Sequence, residues 1–259
     1  MSLVETTCQL PRHAFAPGEL ARAGDVWRML QEVAIEGSTR LGWPPTRYVE
    51  VQAGFVVRTM TVRHLAPIVF GDAIHASTWV SSMRREMFTT REIRATGPRG
   101  PVVSATQGWV HVTVPSLAPS RACGELVDAL EVVEREPSVT MPEAVEEASG
   151  PVESFSFEAW HTWMDPLAHA NHPAYVDWVD EALSRRMHAA GLDPQALQPV
   201  AERITFRAGV VAGDRVHVHT ELVGIDGADA TIRARITNAD DKPYADGLFV
   251  RRHVLDALT

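Results

Sequence analysis

Asp165, His169 and Asn171 stand close together in the run Trp163-Met164-Asp165-Pro166-Leu167-Ala168-His169-Ala170-Asn171-His172. A carboxylate on a loop can activate water or attack an electrophile directly, and a nearby histidine can donate a hydrogen bond or a proton. The spacing predicts a helix opening at Pro173 and running on through Tyr175, which puts the trio just ahead of a helix N-terminus. The free N–H groups of such an end stabilise a carbonyl oxygen that turns negative during attack. The set suits acyl transfer. Each member also has an ordinary structural use, since Asp-Pro starts turns, Asn caps helices and a loop histidine is usually a surface residue. His161, His169, His172 and His188 match no zinc spacing and His217-x-His219 is plain strand alternation, so no metal site is expected.

The polar cluster occurs once in a chain that otherwise repeats itself. Val62 to Thr78 and Ile204 to Thr220 share Ala66/Ala208, Val69/Val211, Gly71/Gly213, Asp72/Asp214, His75/His217 and Thr78/Thr220. Upstream of the first copy the matching ground is Ala16 to Arg22, where Leu20 and Arg22 replace His169 and Asn171. One half carries reactive groups, and the other is expected to complete the pocket. A single site is therefore expected where the second copy's loop faces the first copy's helix.

The elements that position the cluster follow from periodicity. Val26, Trp27, Met29, Leu30, Val33 and Ala34 recur at helical spacing behind Asp25 as candidate cap, and Gly42-Trp43-Pro44-Pro45 ends that helix. Gly54 to Val62, Asp72 to Ser81, Thr89 to Ala95 and Val102 to Val114 alternate as strands. A Pro-, Glu- and Ala-rich stretch follows, with a short helical pattern near Glu125 to Glu134. The second half then repeats strand, loop, helix and four strands. On its helix Tyr175, Val176, Trp178, Val179, Ala182 and Leu183 form the apolar face. Glu32 and Glu181, 149 residues apart, hold the same rotational position and are candidates to assist from across the junction of the halves. Tyr175 and Trp178 are candidate substrate contacts, with core packing the simpler use of Trp178.

These patterns predict an α+β chain with residues 1–114 as a first unit, 115–154 as a linker and 155–259 as a second unit. A long helix wrapped by a bent antiparallel sheet, present twice, describes a double hotdog; two ferredoxin-like units or a single α+β domain are the alternatives. Edge-to-edge pairing of the two sheets would remove exposed strand edges. The net charge of −9 argues against nucleic acid as a partner, because phosphate neutralisation needs clustered Lys and Arg. No run approaches the roughly 20 apolar residues of a membrane span, and the start has neither a basic leader nor a long apolar segment, so a cytoplasmic protein is expected. The two cysteines, Cys8 and Cys123, are expected in tail and linker, with no Cys-x-x-Cys spacing.

Leu30-Gln31-Glu32-Val33, Leu41-Gly42, Gly71-Asp72 with Thr78-Trp79-Val80, and Ala105-Thr106-x-x-Trp109-Val110 resemble, in order and approximate spacing, landmarks of the acyl-ACP thioesterases among the hotdog thioesterases. Asp165-x-x-x-His169-x-Asn171-x-x-x-Tyr175-x-x-Trp178-x-x-Glu181 resembles that family's loop and helix. Leu167 stands where the plant enzymes carry an Asn, and Ala208-Gly209-Val210 where they carry a Glu-Cys pair. Asp165, ten residues before Tyr175, also resembles the catalytic Asp of the 4-hydroxybenzoyl-CoA type. The resemblance implies a hydrolase without a cofactor that acts on acyl-ACP or acyl-CoA, as a monomer or homodimer of double hotdogs. Asp165 would be nucleophile or general base, His169 a polarising or proton-transferring partner, and Asn171 the organiser of the substrate carbonyl. A non-catalytic acyl-thioester-binding protein and a β-hydroxyacyl dehydratase are the rival expectations.

Overall fold

The computed structural model describes residues 3–143 and 146–253; residues 1–2 and 254–259 of the expected units and 144–145 of the expected linker lie outside the described residues. The first half supplies β1 (Val4–Cys8), β2 (Ala53–His64), β3 (Ile74–Arg84), β4 (Phe88–Gly97) and β5 (Gly100–Thr113). β6 (Glu146–Glu147) lies in the connector, and β7 (Glu153–Glu158), β8 (Leu197–Phe206), β9 (Arg215–Asp226), β10 (Asp229–Thr237) and β11 (Pro243–His253) come from the second half. Together they form one antiparallel sheet in the order β1-β3-β4-β5-β2-β8-β11-β10-β9, with β6 and β7 along the outer edge of β9. Each half therefore has the same strand order, and the two join where β2 pairs β8 with Thr61 opposite Arg203. Those two residues are equivalent in the repeat, so a pseudo-two-fold axis passes between them.

Two long helices, α1 (Ala23–Arg40) and α4 (Ala174–Ala189), fill the concave side of the sheet. Their apolar stripes are the predicted ones: Trp27, Leu30 and Val33 on α1 and Tyr175, Val176 and Val179 on α4 are buried. They join Val62, Ile74, Ile93, Ile204, Val218 and Phe249 in one core that runs through both halves. Each large side chain so buried contributes about 1.5–3 kcal/mol. This is the double hotdog.

The helices approach each other near their N-termini, where a Cβ on Gly24 would collide with the Asp177 carboxylate. Arg28 and Asp177, themselves equivalent positions, form an ion pair there, and Arg28 also reaches Asp25 at 3.2 Å. Burial pushes the half-buried Asp177 carboxyl up, and Arg28 opposes it. Asp25 is thus not the cap of α1: the helix begins at Ala23 with Arg22 before it, and Asp25 lies in the first turn. A negative charge is favourable at that point.

Much of what the halves share in sequence is turn chemistry. Gly71 and Gly213 both have positive φ, at 91° and 87°, and Asp72 and Asp214 each accept from the backbone N–H three residues earlier at 3.0 Å. The repeat also extends beyond the expected range. β1 pairs β3 with Val4 opposite Thr78, as β7 pairs β9 with Glu153 opposite Thr220, so Cys8 ends an edge strand instead of lying in a tail.

The connector lies along the first half's sheet. Its helix α3 (Gly124–Ala129) buries Leu126, which with Ala122, Leu130, Trp43 and Val80 makes a second, smaller core. Val133 N–H donates to the Val80 carbonyl, Ser138 Oγ donates to buried Glu92 at 2.7 Å, and Arg94 donates to Glu136 and to the Pro137 carbonyl. A short helix absent from the sequence reading, α2 (Pro45–Glu50), starts on the second proline of the Pro-Pro pair and brings Tyr48 to this core. Truncating Leu126→Ala is expected to destabilise the protein by about 2–5 kcal/mol. Denaturant unfolding of the whole chain, followed by tryptophan fluorescence, measures it.

Candidate active site

Residues 163–171 form a tight loop closed by the Met164–Ala170 bridge. Asp165 N–H donates to the His169 carbonyl at 2.7 Å, Ala168 takes φ 61°, and Asp165 Oδ1 accepts from Leu167 N–H at 2.8 Å. This pins one carboxylate oxygen and leaves Oδ2 without a hydrogen-bond donor among the described residues. The first half builds the same loop from other residues: Phe15 bridges Ala21, Ala16 N–H donates to the Leu20 carbonyl at 2.9 Å, and Glu19 takes φ 65°. The backbone repeats and the chemistry does not.

Asp165 sits where two cavities meet. One, of about 420 Å³, is walled by His169, Asn171, His172 and Tyr175 from the second half and by Gln31, Phe55 and Trp109 from the first. The other, of about 560 Å³, runs on between α1, α2 and the first sheet past Ile35, Trp43, Tyr48 and Leu130. Asp165, Leu167, Gln31, Ile35, Phe55 and Trp109 line both.

The helix entrance differs from the sequence expectation. Ala174, Tyr175 and Val176 N–H groups are spent on the carbonyls of Asn171, His172 and Pro173, and Asn171 makes no side-chain cap. Among the described residues the His172 N–H, one residue before the proline, has no hydrogen-bond acceptor, and the Asn171 side-chain amide lines the same cavity while its backbone N–H donates to the Trp163 carbonyl at 2.9 Å. The His169 ring lies over the backbone of Gly209, where any Cβ would overlap it.

Tyr175 lines the cavity, and its hydroxyl also braces the neighbouring loop by accepting from Val210 N–H at 3.2 Å. Trp178 is not a cavity residue. It is buried among Phe157, Trp163 and Tyr175 in the core. Glu32 and Glu181 do not face the junction either: Glu181 is exposed and pairs with Arg185 at 2.7 Å, and Glu32 lies in a groove beside β1. Their rotational position points outward, and the residues that meet across the helices are Arg28 and Asp177, one turn earlier.

Sequence reasoning passed over two wall residues. Gln31 and His172 both line the cavity, and each has a buried polar atom, Oε1 and Nε2, without a hydrogen-bond partner among the described residues. His172 is packed among Trp27, Trp109 and Phe206, and burial, helped by the charge of Arg28, lowers its pKa to about 3. It is a neutral imidazole at physiological pH. A polar residue continuing the buried stripe of α1, Trp27-x-x-x-Gln31-x-x-x-Ile35, was the available signal for Gln31, because a polar side chain on a core face is the informative exception.

Residues 159–256 match the family model of the Thioesterase-like superfamily. The fold as a whole is shared with a provisionally assigned oleoyl thioesterase of Lactobacillus plantarum, at TM-score 0.82 and 17% identity over 98% of this chain and 97% of that one. It is shared also with an acyl-ACP thioesterase of Bacteroides thetaiotaomicron, at TM-score 0.76 and 13% identity over 97% and 98% of the chains. A 12:0-ACP thioesterase of Umbellularia californica gives TM-score 0.73 and 13% identity over 98% of both chains. No curated protein sequence matches at a significant level. The chain is thus a double hotdog whose second half carries the thioesterase-like sequence pattern.

The pseudo-two-fold axis places a second, unlike position on the other side of the junction. Here the space is 280 Å³, walled by Leu20, Ala21, His64, Leu65, Ala66 and Pro67 among others. Behind it lies a charge network absent from the cavity side. Fully buried Glu202 accepts from Trp27 Nε1 at 3.1 Å and Arg251 Nη1 at 2.5 Å, and lies 2.8 Å from His64 Nε2. Arg251 also donates to Asp180 at 2.7 Å. Burial alone would push the Glu202 carboxyl up, but His64 and Arg251 outweigh it and hold it at about 2.

A carboxyl held below its unfolded value of about 4.5 contributes stability that is complete above that value and is lost as pH falls toward about 2. Glu202→Gln leaves Arg251 with Asp180 alone and takes the carboxylate from His64, and is expected to cost about 3–5 kcal/mol at neutral pH. The variant should also lose part of the acid-limb slope, as read from denaturant unfolding at a series of pH values.

Proposed function

We propose that the protein hydrolyses acyl thioesters carried on a phosphopantetheine thiol, whether of coenzyme A or of an acyl carrier protein. The observation that carries this reading is the position of Asp165 where two mainly apolar cavities meet, one of them also walled by His169, Asn171 and His172. An acyl chain laid in the apolar cavity past Ile35 and Trp43 brings its thioester carbonyl to the loop. Such a mainly apolar pocket with few convergent polar groups is what a small-molecule site requires. The phosphopantetheine arm leaves past Arg58 and Arg207, which line the cavity beside the loop, and Arg58, with no carboxylate partner among the described residues, offers a cation for its phosphate, while Arg207 is shared with Asp246 at 3.1 Å.

Asp165 Oδ2 takes a proton from water as the water oxygen bonds to the carbonyl carbon. The oxygen that becomes negative is received by the Asn171 amide and the His172 N–H. Collapse of the adduct breaks the C–S bond, the departing sulfur takes the proton, and the products are a carboxylic acid and a free thiol. Direct attack by Asp165, through an anhydride that water then opens, balances equally and uses the same residues. His169 stands beside the leaving sulfur as a hydrogen-bond donor, and neutral His172 with Gln31 positions the substrate from the opposite wall.

The test is thiol release from a panel of acyl-CoA and acyl-ACP substrates by the wild-type protein and by Asp165→Asn. Loss of an acid–base or nucleophilic group is expected to lower kcat by about a hundredfold or more. Turnover unchanged in the variant would remove Asp165 from the mechanism. Tight binding without thiol release would make the protein an acyl-thioester binder.

A further inference from the structure

The apolar cavity ends on an unmatched charge. Arg91, on β4, is only 6% exposed and lines the cavity with Tyr48, Ser38 and Thr89. Its guanidinium donates to Thr78 Oγ1 at 3.3 Å and to Ser38 Oγ at 3.1 Å, leaving most of its five N–H groups unused. Among the described residues no carboxylate lies within ion-pair distance of it. The Tyr48 hydroxyl is buried in the same wall, near enough to Ser38 and Arg91 for both to favour its ionised form against burial.

Elsewhere the protein matches such groups. Arg251, equally buried, meets Glu202 and Asp180, and Arg94 meets Glu92 and Glu136. A buried cation without a counter-charge is destabilising, and arginine does not escape by losing its proton. Burial lowers its pKa to about 10, with Tyr48 opposing, so the charge persists at neutral pH.

A purely structural brace explains part of this. The carbonyls at the C-terminal end of α1 offset some of the charge, and Gly37 leaves room for the guanidinium, since a Cβ there would lie 2.7 Å from Nη1. A brace requires neither a charge nor a cavity beside it, however. In the second half the core-facing positions of the corresponding strand β10 are Ala230, Ile232, Ala234 and Ile236, all apolar, and the 280 Å³ space at the equivalent corner draws no wall residue from that strand. The charge goes with the cavity.

We infer that the apolar cavity receives acyl chains whose far end carries a carboxylate, held by Arg91 with the Tyr48 and Ser38 hydroxyls. This rests on the thioesterase reading and narrows it to ω-carboxyacyl thioesters, with the methylene chain passing Ala34, Ile35, Trp43 and Phe55. Arginine and carboxylate match in charge and in geometry, since the planar fork can donate two parallel bonds. The paired hydroxyls fill the remaining acceptor positions.

The experiment compares kcat/KM for matched pairs of CoA thioesters, hexanoyl against hexanedioyl through dodecanoyl against dodecanedioyl. A preference for the ω-carboxy member of about tenfold or more at one or more lengths is expected, and Arg91→Met should bring that ratio to one or below. Equal or better turnover of every monocarboxylic member by the wild-type protein would overturn the inference, whether or not the variant folds. If no thioester is cleaved, the thioesterase reading fails separately. Calorimetric titration of the full chain with octanedioate and octanoate then decides: tighter dioate binding lost in Arg91→Met supports the inference, and equal or weaker dioate binding overturns it.

Discussion

The antiparallel pairing of β2 with β8 is the constraint on which the arrangement of the molecule depends. Five residue pairs around Thr61 and Arg203 turn two sheets into one and fix the pseudo-two-fold axis. The axis brings the loop–helix corner of each half against the sheet of the other. A cavity at that corner is therefore composite by construction, with its loop from one half and its walls from both. The Arg28–Asp177 pair sets the helices at the same axis, and the missing side chain of Gly24 lets them close. Burying strand edges in the joint also removes two surfaces prone to aggregation.

From one duplicated backbone the two corners have diverged in opposite directions. On one side a left-handed Ala168 turns the loop that presents Asp165, and Gln31 and His172, each with a buried polar atom unpartnered among the described residues, line a cavity. On the other side the same turn at Glu19 presents Leu20 and Arg22, and His64, Glu202, Arg251 and Asp180 satisfy one another. Unsatisfied buried groups are rare in folded proteins and are tolerated where a ligand supplies the missing partner. The contrast within one chain sets a corner whose buried polar groups satisfy one another against one where two of them line a cavity.

The fold was legible in the sequence because turn chemistry and apolar periodicity are local. The Gly-Asp pairs at 71–72 and 213–214 and the stripes of α1 and α4 occur where their spacing indicates. The first strand was missed because five residues at an edge carry little pattern, and α2 because a six-residue helix starting within Pro-Pro has no full stripe. At the site, the loop was conspicuous as an interruption of the repeat. Residues that act across the joint were harder to see. Glu32 stands out because the repeat carries it as Glu181, whereas its neighbour Gln31 lines the cavity, and one helical step of about 100° separates the two. Arg91 gave no local signal, since a charge on a strand ordinarily faces water and only the tertiary packing encloses it.

The connector has a consequence for the order in which the molecule is made. Leu130 belongs both to the strap and to the wall of the apolar cavity, and Asp165 belongs to the half that follows it. On a ribosome, where the N-terminal part of a chain emerges and folds first, the sheet of the first half comes first, its cavity wall second and the Asp165 loop last. An incomplete chain has an apolar slot from whose wall Asp165, Pro166 and Leu167 are missing until translation has passed the loop and β8 has found β2.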